Sequence, residues 1–213
     1  MPRANESNAG FRFLPEYFDR PAQVRLIAEL KATIADCPFY TPTMPRTGKP
    51  FSVRMTNFGP LGWVSDREQG YRYQATHPLT GRPWAPIPAT VLDLWRKIAG
   101  YPHPPEACLV NYYEPAARMG LHQDSDEQDF SAPVVSLSLG DSCLFRIGGR
   151  ERGGATRSLK LASGDVVVLG GDARLAFHGV DRLYPGTSTL LSEWLAAGGR
   201  VNLTLRRVTK PGG

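Results

Sequence analysis

His122 and Asp124 stand two residues apart in the tripeptide His-Gln-Asp, and another imidazole, His178, follows in a later segment. In extended chain, residues two apart point to the same side, so an imidazole and a carboxylate converge there. With His178 supplied from a second strand, two histidines and one carboxylate would hold one side of an iron(II) ion and leave its other positions open. An isolated His-x-Asp pair is common loop chemistry, so the case rests on what surrounds it. The other two histidines, His77 and His103, each precede a proline and read as surface loop residues.

Further along, Arg200, Asn202, Thr204 and Arg206 share one parity, while Val201, Leu203 and Leu205 share the other. On a strand this sets two guanidiniums and an amide on one face and an apolar surface opposite. That polar face would be either solvated or a receptor for a small dicarboxylate, which bidentate guanidinium groups suit. Asn111 and Tyr113, again two apart, could complete such a pocket with neutral groups.

The elements that must position these residues follow from periodicity. Residues 21–36 place Val24, Ile27, Leu30 and Ile34 at helical spacing behind a proline at the first turn. The stretch 38–50 holds four prolines and is expected to be irregular. Residues 50–88 mix short β-like runs with turns and read as a loop-rich cover, and a second helix fits 88–99 through Val91, Leu92, Leu94, Trp95 and Ile98. Past residue 106 the period changes to CLVNYY, VVSLSL, CLFRI, SLKL, DVVVLGG, RLAFHGV and VNLTLRRV, which come at sandwich or barrel spacing. The fold class is therefore α+β, mainly β. An extension over 1–105 packs on an antiparallel core over 106–213, with no linker between them, as one compact unit.

Composition bounds the partners. Among 213 residues, 41% are hydrophobic and 21% charged, which argues against global disorder. Gly and Pro, at 22 and 19, suit a turn-rich β body. Cys37, Cys108 and Cys143 are odd in number and far apart, so neither a disulfide framework nor a zinc knuckle fits. The start MPRANESNAG lacks the apolar core of a signal peptide, and no apolar run approaches the ~18 residues of a membrane span, so a cytoplasmic setting without membrane contact is expected. The formal charge of +5 is unevenly spread: residues 146–160 carry +4 and residues 118–130 carry −3. The basic stretch, with four glycines, permits contact with a polyanion.

Taken together, Asn111-Tyr112-Tyr113, Leu121-His122-Gln123-Asp124-Ser125-Asp126-Glu127, Ser136-Leu137-Ser138-Leu139-Gly140, Gly164-Asp165-Val166-Val167-Val168, His178-Gly179 and Arg200-Val201-Asn202-Leu203-Thr204-Leu205-Arg206 resemble the AlkB family in its bacterial form. Matching segments run from about residue 53 to residue 208. The resemblance implies a double-stranded β-helix (jelly roll) core with N-terminal helices and a nucleotide-recognition lid over about 50–88. It implies an iron(II)- and 2-oxoglutarate-dependent dioxygenase that uses O2 to demethylate N-alkylated bases in DNA, a direct-reversal repair releasing formaldehyde, succinate and CO2. His122, Asp124 and His178 would be the iron ligands and catalytic centre. Arg200 and Arg206 would hold the 2-oxoglutarate carboxylates, with Asn111, Tyr113 and Asn202 hydrogen-bonding the cosubstrate and Ser136 nearby. Trp63 and Tyr71 resemble base-stacking and lid residues, Asp126 the acidic contact to a cationic base, and Arg152 a position near the phosphates. Leu169 departs from the family's bacterial founding type, which has Trp there.

The partner implied is alkylated single-stranded DNA, with RNA as an alternative, met by a monomer. Two rival readings are the same chemistry on RNA or on a protein side chain, and a non-catalytic nucleic-acid-binding β-barrel.

Overall fold

A computed structural model describes residues 10–212; the polar opening segment, read as loose over 1–10, lies outside these apart from Gly10. Six strands form the larger sheet: β1 (Phe11–Leu14), β2 (Arg54–Phe58), β5 (Ala107–Tyr113), β7 (Val134–Gly140), β10 (Val166–Leu169) and β12 (Arg200–Arg206). Their order is β1-β10-β7-β12-β5-β2. A smaller sheet runs β6 (Met119–His122), β11 (His178–Tyr184), β8 (Ser142–Ile147) and β9 (Arg157–Leu161). A hairpin of β3 (Gly62–Asp66) and β4 (Gly70–Gln74) stands apart from both. All pairings between these strands are antiparallel. The predominantly β class expected from strand spacing and the jelly-roll core implied by the resemblance are both present. The sheet also crosses residue 105: β1 pairs with β10 and β2 with β5, so strands from both parts of the chain share one ladder.

Alternation along the strands divides the interior into two layers. From the larger sheet, Val110, Leu137, Val201, Leu203 and Leu205 point one way and pack against the helices α1 (Arg20–Ile34) and α2 (Ala89–Ile98) through Leu26, Leu30, Leu94 and Trp95. Their opposite faces send Leu109, Val167 and Leu169 toward Cys143, Phe145, Ile147 and Leu183 of the smaller sheet. Each such fully buried aliphatic side chain contributes about 1.5–3 kcal/mol.

Several elements differ from the sequence expectation for identifiable reasons. In α1, Asp19 caps the Ala22 N–H, but Val24 faces outward and Gln23 is buried instead. The Gln23 amide is the useful group there: it donates to Phe18 O and accepts from Ser163 Oγ, tying the helix to the turn before β10. The RLAF segment is not strand: Arg174 and Leu175 end a 3₁₀ turn over Gly171–Leu175, Ala176 and Phe177 are irregular, and β11 begins at His178. His77 is a correction: its side chain is buried against Tyr40 and Trp84 rather than lying on a surface loop. Nε2–H donates to Pro38 O, and Nδ1 accepts from the Leu79 and Thr80 amides, so His77 staples the cover together. Among the described residues, no helix is long and apolar enough to cross a membrane.

The end of β12 is fastened by Glu106, which lies just before β5. Its carboxylate accepts from the Val208 and Thr209 amides at 2.9 and 2.7 Å and from the Thr209 hydroxyl at 2.7 Å. Burial pushes the carboxyl up, but these donors and Arg207 outweigh it and hold it below its ordinary value. The carboxylate therefore stabilises the fold above about pH 4.3, and this contribution is lost as pH falls through the depressed folded value. Urea denaturation of Glu106→Ala at pH 7 is expected to show a loss of about 2 kcal/mol, shrinking toward zero in acid. An equal loss at both pH values would exclude the carboxylate as its source.

Candidate active site

Between the two sheets lies a cavity of about 660 Å³ lined by residues of β5, β6, β7, β11 and β12. His122 ends β6 and His178 begins β11, and the two are register partners directly across the ladder. Gly179 permits this approach: a Cβ there would stand 2.6 Å from Met119 O and 2.9 Å from Gly120 O. Asp124 follows β6, with its carboxylate oxygens 3.7 Å from each imidazole Nε2. Ligand atoms of His122, Asp124 and His178 all fall within 4.8 Å of one another.

The tautomers follow from the partners. His122 Nδ1 meets Gly120 O at 3.0 Å and His178 Nδ1 meets Ala176 O at 2.9 Å. A carbonyl only accepts, so each Nδ1 carries the proton and each Nε2 offers a lone pair to the centre. Asp124 Oδ2 is buried with no hydrogen-bond partner among the described residues. Burial would raise the Asp124 carboxyl, but Arg206, the two imidazoles and Arg174 together hold it well below the usual carboxylate range. His178 is pushed down to about 4, by burial first and by His122 second, against the pull of Asp124. An ionised carboxylate and a neutral imidazole at pH 7 are the states a metal ligand requires.

The face expected from β12 parity is formed, and it is buried rather than solvated. Arg200 pairs in register with Tyr113, Asn202 with Asn111 on one side and Ser138 on the other, and Thr204 with Ser136. Asn202 donates to Ser136 Oγ at 2.8 Å and accepts from Thr204. Arg200 is 2% exposed, donates once to Ser138 Oγ at 2.9 Å and lies 5.2 Å from the Tyr113 ring centroid. Its Nε and Nη1, together with Asn111 Oδ1 and Arg206 Nε, are buried without hydrogen-bond partners among the described residues. Three of these four groups are guanidinium donors in excess around one cavity, an arrangement suited to a small anion with several oxygens.

At the mouth, Trp63 is held rigidly. Its backbone exchanges two 3.0 Å hydrogen bonds with the Asn57 side chain, and its indole N–H donates to Asp126 at 2.7 Å. Tyr71, 52% exposed on the β3–β4 hairpin, stacks on it with centroids 5.4 Å apart and 23° between planes. Arg152 also lines the cavity, with its guanidinium 5.2 Å from the Phe177 ring. Leu169 forms part of the apolar wall. Every residue assigned a metal, cosubstrate or base-contacting role from the resemblance, with Arg152, borders one cavity.

Sequence reasoning missed the supports behind them. Glu127 is given no role of its own from sequence, yet its side chain is fully buried, between Arg174 at 3.0 Å and Arg206 at 3.3 Å. Asn57 carried no signal beyond its place in a β-like run.

Residues 10–206 match the 2OG-Fe(II) oxygenase superfamily. An alpha-ketoglutarate-dependent dioxygenase AlkB homolog of Caulobacter vibrioides is 54% identical over 93% of this chain and 87% of its own length. Alpha-ketoglutarate-dependent dioxygenase AlkB of Escherichia coli K12 is 41% identical over 89% and 86%. A solved structure, that of OsALKBH1, superposes with a TM-score of 0.76 at 32% identity, covering 93% of this chain and 96% of that one.

In the metal-free protein, one histidine is expected to titrate near pH 4 and to be missing from the spectrum of His178→Gln. Imidazole NMR checks this. A midpoint near 6.5 for every histidine would contradict the burial argument.

Proposed function

This chain belongs to the 2OG-Fe(II) oxygenase superfamily and, within it, to the AlkB family of alpha-ketoglutarate-dependent dioxygenases, and on that premise we propose that it removes N-linked alkyl groups from bases of single-stranded DNA, as a monomer in the cytoplasm. The observation that carries the reading is one cavity holding both a His-Asp-His cluster and a buried cation, Arg200, with no acidic partner among the described residues. Every polar group the reaction needs comes from a single chain, which supports a monomer. Three buried, unpaired cysteines suit a reducing compartment.

His122 and His178 would hold Fe(II) through Nε2, with the Asp124 carboxylate as the third ligand; the partnerless Oδ2 fits that role. Arg200 and Arg206 would take the carboxylates of 2-oxoglutarate, while Asn111, Tyr113 and Asn202 supply neutral contacts. When bound, iron, 2-oxoglutarate and O2 supply the oxidising power, with succinate, CO2 and formaldehyde as products. The protein's own work is placement. Trp63, pinned by Asn57, offers a flat wall for a base turned out of its strand, and Tyr71 is the exposed partner free to move aside. Asp126 faces the same opening and attracts the positive charge of a base methylated at N1 of adenine or N3 of cytosine. Arg152 and its basic loop lie where phosphates of the same strand would pass.

Formaldehyde release from a methylated oligonucleotide, supplied with iron, ascorbate and 2-oxoglutarate, tests the assignment. His122→Ala and Asp124→Ala are expected to abolish it, and wild-type turnover in either folded variant would refute the site. Methylated RNA and a methylated peptide, run in parallel, decide the polymer. Faster turnover of either one than of DNA would replace the substrate proposed. Arg200→Ala is expected to raise the 2-oxoglutarate concentration for half-maximal turnover by about tenfold or more, because a charged hydrogen-bond partner is lost.

A further inference from the structure

We propose that Glu127 is a positioning residue for the metal site: by sharing Arg206 with Asp124, it keeps one oxygen of Asp124 free for the ion. The proposal rests on His122, Asp124 and His178 being the ligands.

Glu127 lies three residues beyond Asp124, with its side chain fully excluded from solvent. Oε2 accepts from Arg174 Nη2 at 3.0 Å, and Oε1 accepts from Arg206 Nη1 at 3.3 Å and from the Tyr73 hydroxyl. Arg206 gives its other terminal nitrogen, Nη2, to Asp124 Oδ1 at 2.7 Å. One guanidinium is thus divided between two carboxylates, and only one oxygen of Asp124 is engaged by it. The second, Oδ2, has no hydrogen-bond partner among the described residues and stands 3.7 Å from His178 Nε2.

The division matters because a guanidinium facing a single carboxylate prefers to bind both of its oxygens with two parallel N–H bonds. Without the charge on Glu127, Asp124 is the one carboxylate left to Arg206, and a second N–H turns onto Oδ2. Asp124 cannot evade this by moving its main chain. Arg174 Nη1 donates to the Asp124 carbonyl at 2.7 Å, and Arg174 Nε donates to Ala132 O at 2.9 Å. Tyr73 adds a further constraint: its hydroxyl donates to Glu127 and accepts from Arg206 at 3.1 Å, so the β3–β4 hairpin holds the acid in its shared position.

Cobalt(II) titration of the full chain without 2-oxoglutarate, followed by visible absorption, tests this without turnover. Glu127→Gln keeps size and an acceptor for Tyr73 but removes the charge, and is expected to weaken Co(II) binding about 10- to 100-fold. Arg206→Gln alone should not weaken it, and the double variant Glu127→Gln/Arg206→Gln should regain wild-type affinity within about threefold. Additive losses in the double variant would show that Glu127 acts by some route other than Arg206 and would overturn the proposal. Unchanged affinity in Glu127→Gln would do the same. Should Glu127→Gln fail to fold, Arg206→Gln still decides, since a tenfold loss there is incompatible with an arginine that competes for Asp124. A wild-type chain that takes up no Co(II) would instead remove the ligand assignment itself.

Discussion

A guanidinium buried without a carboxylate to match it is the constraint on which the rest of this site depends. Arg200 is enclosed at the start of β12, with one hydroxyl and one aromatic face as neighbours. Burying an unpaired cation is costly, and a chain stable enough to carry it must recover the cost elsewhere. The larger sheet does so through the apolar faces of β5, β7 and β12, which pack against α1 and α2. Because those apolar faces are firmly held, the opposite faces can present polar residues to the cavity. The two-residue period of the strand thus links helix packing to the polar lining of the cavity: slipping β12 by one residue would drive Arg200 and Arg206 into the helix layer.

Much of this was legible in the sequence wherever function and strand period coincide. Arg200, Asn202, Thr204 and Arg206 announce a face by alternation, and Asn111 with Tyr113 announces its neighbour across the ladder. His122 and Asp124 are also two apart, and His178 lies opposite His122 in register. What stayed hidden has no period. Glu127 sits in a loop among other acids, and its partners, Tyr73, Arg174 and Arg206, come from three distant segments. His77 precedes a proline and looks like a turn residue, yet its ring closes the cover from inside. Strand β1 is only four residues long and is defined by its pairing with β10 rather than by a pattern of its own.

The mouth of the cavity follows a different logic from its floor. The floor is built on paired strands, where register sets each side chain to within a fraction of a residue. Trp63 is held by two hydrogen bonds exchanged with Asn57, although it belongs to a hairpin outside both sheets. Tyr71, on the same hairpin, has no comparable anchor and half of its surface is exposed. One anchored indole and one exposed phenol ring stacked on it therefore frame the mouth of the cavity.

Formal charges explain why Asp126 belongs at that mouth. Deeper in, Arg174 and Arg206 balance Asp124 and Glu127, and Arg200 is left over. A divalent metal and a dianionic cosubstrate cancel each other, so the loaded floor retains the positive charge of Arg200. Such a floor repels a cationic base. Asp126 is exposed and lines the cavity, and its one described hydrogen bond comes from the uncharged Trp63 indole. On the proposed reading it would supply negative charge where the base enters, and the basic loop around Arg152 would attract the strand's phosphates without competing for the same position.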